Sequence, residues 1–133
     1  MLDRAEILRT IDEAYAARMQ GDKAALLPYW APEATYRLAG AEELIPAPFP
    51  VGPADAHTAA ASLIDLFQFH KLERLHAVVE GPMASVHWRV TVSTAGKPAV
   101  TTEMYDLWTF TENGKVCSLL QFVDTALLAT MLA

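Results

Sequence analysis

From His70 onward the chain alternates apolar and polar side chains in four runs. Short turns at Gly81-Pro82, Ala95-Gly96-Lys97 and Glu112-Asn113-Gly114-Lys115 part them. Alternation at period two marks strands with one buried face, and turns this short join antiparallel neighbours. The runs "KLERLHAVVE", "MASVHWRVTVST", "AVTTEMYDLWTFT" and "KVCSLLQFV" therefore predict a four-stranded meander. In the second run Val86, Trp88, Val90 and Val92 point one way, and His87, Arg89 and Thr91 the other. In the third, Met104, Asp106, Trp108 and Phe110 share a face opposite Tyr105, Leu107 and Thr109. That face is apolar except for a carboxylate at its centre. Burying an ionised group alone is costly, so such an acid is paired, neutralised or functional.

The N-terminal half reads as helices around one strand. Asp3 with Glu6 resembles a capping box, and Ile7, Leu8, Ile11, Tyr15 and Met19 recur at helical spacing up to Gly21. Asp22 can cap a second helix, "KAALLPYW", that runs to Pro32. "EATYRLAG" is a strand with Tyr36 and Leu38 on one face. Residues 41–56 hold four of the eight prolines and predict a long loop, a candidate lid or interface arm. "ADAHTAAASLIDLFQF" reads as a third helix with Leu63, Leu66 and Phe67 on its apolar side, and Asp124 caps a short last helix, "TALLATML". The expectation is one α+β domain over residues 1–133. Three N-terminal helices pack in a curved antiparallel sheet and enclose a conical apolar pocket.

Composition narrows the function. The formal charge is −6 and the sequence pI about 5.1, with no cluster among the 10 Lys and Arg. Nucleic acid and anionic membrane surfaces need such clusters, so neither is an expected partner. The apolar runs are too short to span a bilayer, and "MLDRAEILRT" lacks the basic and apolar regions of a signal peptide, so a protein that is not exported is expected. The single cysteine, Cys117, forms no internal disulfide and reads as packing, and a cytoplasmic location is expected. His57, His70 and His87 lack metal-ligand spacing, so no metal is expected. No cofactor is expected either.

"EATYRL", "DLWTFTENGKV" and "FVDTALLATML", in this order of elements, resemble the nuclear transport factor 2-like superfamily, nearest to SnoaL-like and ketosteroid isomerase-like proteins. The resemblance covers nearly the whole chain. It implies a cone-shaped, cystatin-like α+β barrel with an internal pocket, often dimeric through the sheet. Ketosteroid isomerases use a carboxylate base on the first strand, a helix tyrosine and a strand aspartic acid. Spacing back from "GKV" places Asp106 on the strand aspartic acid. The base position falls on Leu38, and the tyrosine position falls near Ala14, beside Tyr15, which is rotated about 100° around the helix. Limonene epoxide hydrolases of this fold need Arg-x-Asp on a strand, and here Met104 stands where the arginine would be. In scytalone dehydratase-like members a histidine serves, which here implies His76.

Asp106, Tyr15 and His76 are therefore the candidate catalytic residues. The apolar neighbours of Asp106 raise its pKa, which fits an acid, a base or a donor to a developing enolate. Alternation around His76 leaves two readings open: Leu72, His76 and Val78 share one face, and Leu75, Ala77 and Val79 the other. Tyr36, Trp30, Phe49, Trp88, Met104, Trp108 and Leu119 are the expected ligand-contacting residues. Arg89 and Glu103 are expected to pair on the outer face, where Tyr105, Leu107, Leu120 and Phe122 predict a homodimer interface. Two functions stay open. One is a cofactor-free acid/base enzyme (isomerase, cyclase or dehydratase) acting on a small apolar carbonyl compound. The other is a non-catalytic small-molecule-binding or dimeric accessory domain.

Overall fold

The computed structural model describes residues 2–50 and 52–133. α1 (Arg4–Met19) begins where the Asp3 carboxylate accepts the Glu6 backbone N–H at 2.8 Å. It buries Ile7, Ile11, Ala14, Tyr15 and Arg18. The chain leaves it through Gly21 at φ +68°, a left-handed conformation that glycine adopts without strain. α2 (Lys23–Leu26) is capped by Asp22 as expected but is a single turn. Pro28 has no N–H for the carbonyl four residues back, so the chain tightens to a 3-10 turn and enters β1 (Trp30–Leu38) at Trp30. Pro32 is tolerated in β1 because the pairing there shifts register between Trp30 and Thr35.

The remaining elements are β2 (Ala54–Asp55), α3 (Ala56–Leu66), β3 (Gln68–Glu80), β4 (Met83–Ser93), β5 (Val100–Phe110), β6 (Val116–Val123) and α4 (Thr125–Leu132). They form an α+β fold on one curved, open sheet of order β2-β1-β6-β5-β4-β3. The meander β3 to β6 is antiparallel as expected. Two expectations need correction. β1 runs parallel to β6, because the chain between them returns through α3 and the meander rather than a hairpin, so the sheet is mixed. α1 and the short α2 precede β1 and α3 follows the proline-rich loop, the order read from the sequence. The second correction is the end of α3, which stops at Leu66, where Phe67 turns extended at φ −128° and Gln68 pairs with Ser93. Among the described residues no helix is long and apolar enough to cross a membrane.

β4 and β5 place their inner faces as the alternation predicts: Val86, Trp88, Val90, Val92, Met104, Asp106, Trp108 and Phe110 are all buried. β3 does not follow a single alternation. Its pairing skips Leu75, so Arg74 lies opposite Trp88 and His76 opposite His87. The bulge reverses the parity. Arg74 turns toward α1 and meets Asp12 at 2.8 Å, Ala77 and Val79 turn inward, and His76 is exposed on the outer face. His76, a candidate catalytic residue if it faced inward, therefore makes no pair with Asp106. On the outer face Arg89 and Glu103 are opposite in register, but each has another partner. Arg89 binds Glu73 at 3.0 Å and Glu103 binds His87 at 2.7 Å.

The core lies between α1 and the concave face of the sheet. Ile11 is fully buried at its centre. Ile11→Ala should lower the unfolding free energy by about 2–5 kcal/mol in urea titration. A loss below about 1 kcal/mol would mean that α1 is not seated on the sheet in this way.

Candidate functional site

Asp106 sits mid-strand on the inner face of β5, with none of its surface exposed. Its Oδ2 accepts two hydrogen bonds, from the Tyr15 hydroxyl at 2.5 Å and from Trp88 Nε1 at 3.0 Å. Oδ1 is buried without a partner among the described residues. Burial pushes the Asp106 carboxyl up to about 6, and the donors around it pull the other way without prevailing. The Tyr15 hydroxyl is held well above the usual phenol range, first by burial and then by the adjacent carboxylate. Tyr15 is thus a proton donor that does not ionise by itself at neutral pH.

The network continues outward. Gln121 Nε2 donates to the Tyr15 hydroxyl oxygen at 3.1 Å, and Tyr36 donates its hydroxyl to Gln121 Oε1 at 2.6 Å. Each bond points the same way: Tyr36 to Gln121, Gln121 to Tyr15, Tyr15 to Asp106. Bonds aligned in a low-dielectric interior polarise one another. The alignment also leaves Tyr15 Oη with one lone pair not engaged by a described residue.

Tyr15, Tyr36 and Gln121 line a cavity of about 120 Å³ between the sheet, α1, α3 and α4. Trp30, Phe49, Met104, Trp108 and Leu119, all candidates from the sequence, lie along its walls. Trp30 and Trp108 stack with centroids 6.1 Å apart. Phe49 reaches in from the proline-rich loop, 7% exposed, and packs against Tyr36 and Phe67. Trp88 is buried but does not line the cavity; its indole N–H is spent on Asp106. Asp106 does not line it either and lies behind Tyr15. Leu38 is buried apolar surface. The structure thus joins Asp106 with Tyr15 and places Tyr36 in the same network, while His76 stays outside.

Two polar groups at the cavity escaped the sequence reading. Gln121 lies opposite Asp106 in the β5–β6 register. It sits two residues after the inward Leu119, so alternation alone could have placed it. Arg18 follows Tyr15 by three residues on the same face of α1 and is 8% exposed. Among the described residues no three His, Cys, Asp or Glu side chains converge as a metal site would require.

A sequence model described as a SnoaL-like domain matches residues 11–119. No curated protein matches the chain. Solved structures of similar fold include a nuclear transport factor 2-like protein from Burkholderia xenovorans LB400. It is 21% identical, with both chains covered in full and a TM-score of 0.76. A candidate isomerase from Rhodopseudomonas palustris is 17% identical, with 98% of this chain and 97% of that one covered and a TM-score of 0.76. A candidate SnoaL-like polyketide cyclase from Jannaschia sp. CCS1 is 14% identical, with 99% and 97% covered and a TM-score of 0.73. At these identities the likeness is one of fold.

The raised carboxyl of Asp106 has a definite sign for stability. Its folded pKa, about 6, exceeds the ordinary 3.8, so between those values the folded chain holds a proton that the unfolded chain releases. The stabilising contribution is complete below about pH 4 and is lost as pH rises through about 6. At about 1.4 kcal/mol per pH unit, the loss amounts to about 3 kcal/mol. In Asp106→Asn the amide oxygen can accept both donors, and nothing ionises. Urea titrations at pH 4 to 8 should show the variant gaining on the parent between about pH 4 and 6 and matching or exceeding it at pH 7. A variant less stable at pH 7 by more than about 1 kcal/mol would assign the carboxylate to holding the fold.

Proposed function

The chain belongs to the SnoaL-like domain family, and on that premise we propose a cofactor-free acid/base enzyme acting on a small carbonyl compound held in the apolar cavity. One observation carries this reading: a tyrosine hydroxyl at the cavity wall donates a hydrogen bond to a buried carboxylate whose pKa is pushed up to about 6. Proton transfer is most effective when the catalytic pKa lies close to the working pH. As the C–H proton next to the carbonyl passes to Tyr15 Oη, the Tyr15 proton passes to Asp106 Oδ2. The C–H electron pair moves onto the carbonyl oxygen as an enolate. Asp106 is then the acid, and the same relay returns the proton at another carbon in an isomerisation. If the enolate instead attacks a second carbonyl, the Asp106 proton returns through Tyr15 to the new alkoxide and the product is cyclic; if it expels a β-hydroxyl, the same proton leaves with that group as water and the reaction is a dehydration. The isomerase and cyclase descriptions of two neighbours in fold agree with this range. The same proposal includes a homodimer through the outer sheet face, where Tyr105 and Phe122 lie side by side, 40% and 48% exposed.

The second reading, a domain that binds without turnover, is favoured by Leu38 at the family's base position and by Asp106 lying behind the wall. Deuterium exchange next to the carbonyl of 2-tetralone, followed by NMR, separates the two. Catalysed exchange should rise with pH through about 6 as Asp106 ionises, and should fall by about 10²–10⁴-fold in both Tyr15→Phe and Asp106→Asn. Absence of exchange across one- to three-ring aryl ketones, or exchange that survives Asp106→Asn, would leave the binding-domain reading.

A further inference from the structure

Arg18 is a cation in the wrong company for its burial. It is 8% exposed and lines the same cavity as Tyr15, one helical turn away. Its Nη2 donates to the carbonyl oxygens of Leu63 at 3.0 Å and Phe67 at 2.8 Å, closing the C-terminus of α3. Its Cζ lies 4.0 Å from the centre of the Phe69 ring. These contacts use one nitrogen and one face. Nε and Nη1 donate to no described residue, and neither is sealed inside the protein. No carboxylate among the described residues pairs with it, since the four ion pairs there involve other side chains. Burial without a counter-ion pushes the guanidinium down to about 10.

A neutral amide could cap the same two carbonyls without bringing a charge indoors. What the guanidinium adds is a positive charge and N–H donors on Nη1 and Nε not engaged by a described residue, each able to give a charge-assisted hydrogen bond to a carboxylate oxygen. The two acidic residues that line the cavity do not answer it. Glu103 is bound to His87 at 2.7 Å, and Asp124 accepts the Leu127 N–H at 3.0 Å to cap α4. Asp106 is screened behind Tyr15. The rest of the lining is dominated by aliphatic and aromatic side chains.

We infer that the molecule this cavity takes is an apolar ring compound bearing a carboxylate, and that the carboxylate seats on the Arg18 guanidinium. The inference rests on the ligand-holding half of the function proposed above and not on its proton transfer. Residues three apart on a helix stand about 5–6 Å apart at Cβ. The anionic end of the ligand therefore lies close to the carbon that Tyr15 would deprotonate, as in an aromatic keto acid.

The probes are acid and amide pairs of the same shape: benzoate with benzamide, and 2-naphthoate with 2-naphthamide. Calorimetric titration of the full chain at pH 7 should give tighter binding of the acid by tenfold or more in at least one pair. Arg18→Gln should abolish the preference, and Arg18→Lys should keep part of it. Equal affinity within both pairs, failure of both acids to bind, or a preference that survives Arg18→Gln would overturn the inference. The parent comparison needs no variant, so a poorly folding Arg18→Gln leaves the test intact. Asp106→Asn should keep the acid preference. An acid preference without ketone exchange would retain the ligand class and remove the catalytic reading, and exchange without an acid preference would do the reverse.

Discussion

The bond from Tyr15 to Asp106 ties the first helix to the middle of the sheet. A carboxylate at that depth needs donors, and a sheet interior built of valine and methionine offers none. The donors come instead from aromatic side chains whose rings already serve as packing. Tyr15 meets Trp88 edge-on at 4.7 Å and Trp108 at 5.6 Å, and it stacks on Phe69 at 6.3 Å. Each ring supplies apolar contact, while the hydroxyl and one indole N–H serve the acid. Two bonds from different elements converge on one carboxylate oxygen, so the position of α1 on the sheet is set at this point.

The fold was most legible where one physical rule acted alone. In β4 and β5 nothing interrupts the period of two, and every inward residue, Asp106 included, could be placed from the alternation. Asp3, Asp22 and Asp124 were legible as caps because a short carboxylate just before a helix has one use for its oxygen. The sequence failed where two rules competed. In β3 a bulge at Leu75 reverses the faces, and the run of letters contains no glycine or proline to announce it. In α2 the apolar run favours a longer helix, but Pro28 removes a donor and wins.

The site was legible in its acid and its walls and less so in its polar partners. Family spacing put the tyrosine near Ala14, yet the hydroxyl that reaches Asp106 belongs to Tyr15. A tyrosine is long enough to bridge a modest error in azimuth. Gln121 was hidden in "SLLQFV", where its neighbours read as plain core. Arg18 was hidden by habit, because a long cation on a helix ordinarily runs to water. Here α3 ends beside it with bare carbonyls, and they draw it inward. That relation between two helices cannot be seen in either one alone.

The contacts of the site also span most of the chain. Tyr15 and Asp106 are 91 residues apart, Tyr36 and Gln121 are 85 apart, and Gln121 and Tyr15 are 106 apart. Closing loops of that length is unfavourable until the meander and β1 are both in place. No sub-region can therefore hold the binding geometry after the rest has opened. A ligand seated among these groups draws on the unfolding equilibrium of the entire chain. At one hundred times its Kd it would add about 2.7 kcal/mol to global stability. Resistance of the whole protein to unfolding thus becomes a measure of occupancy at the site.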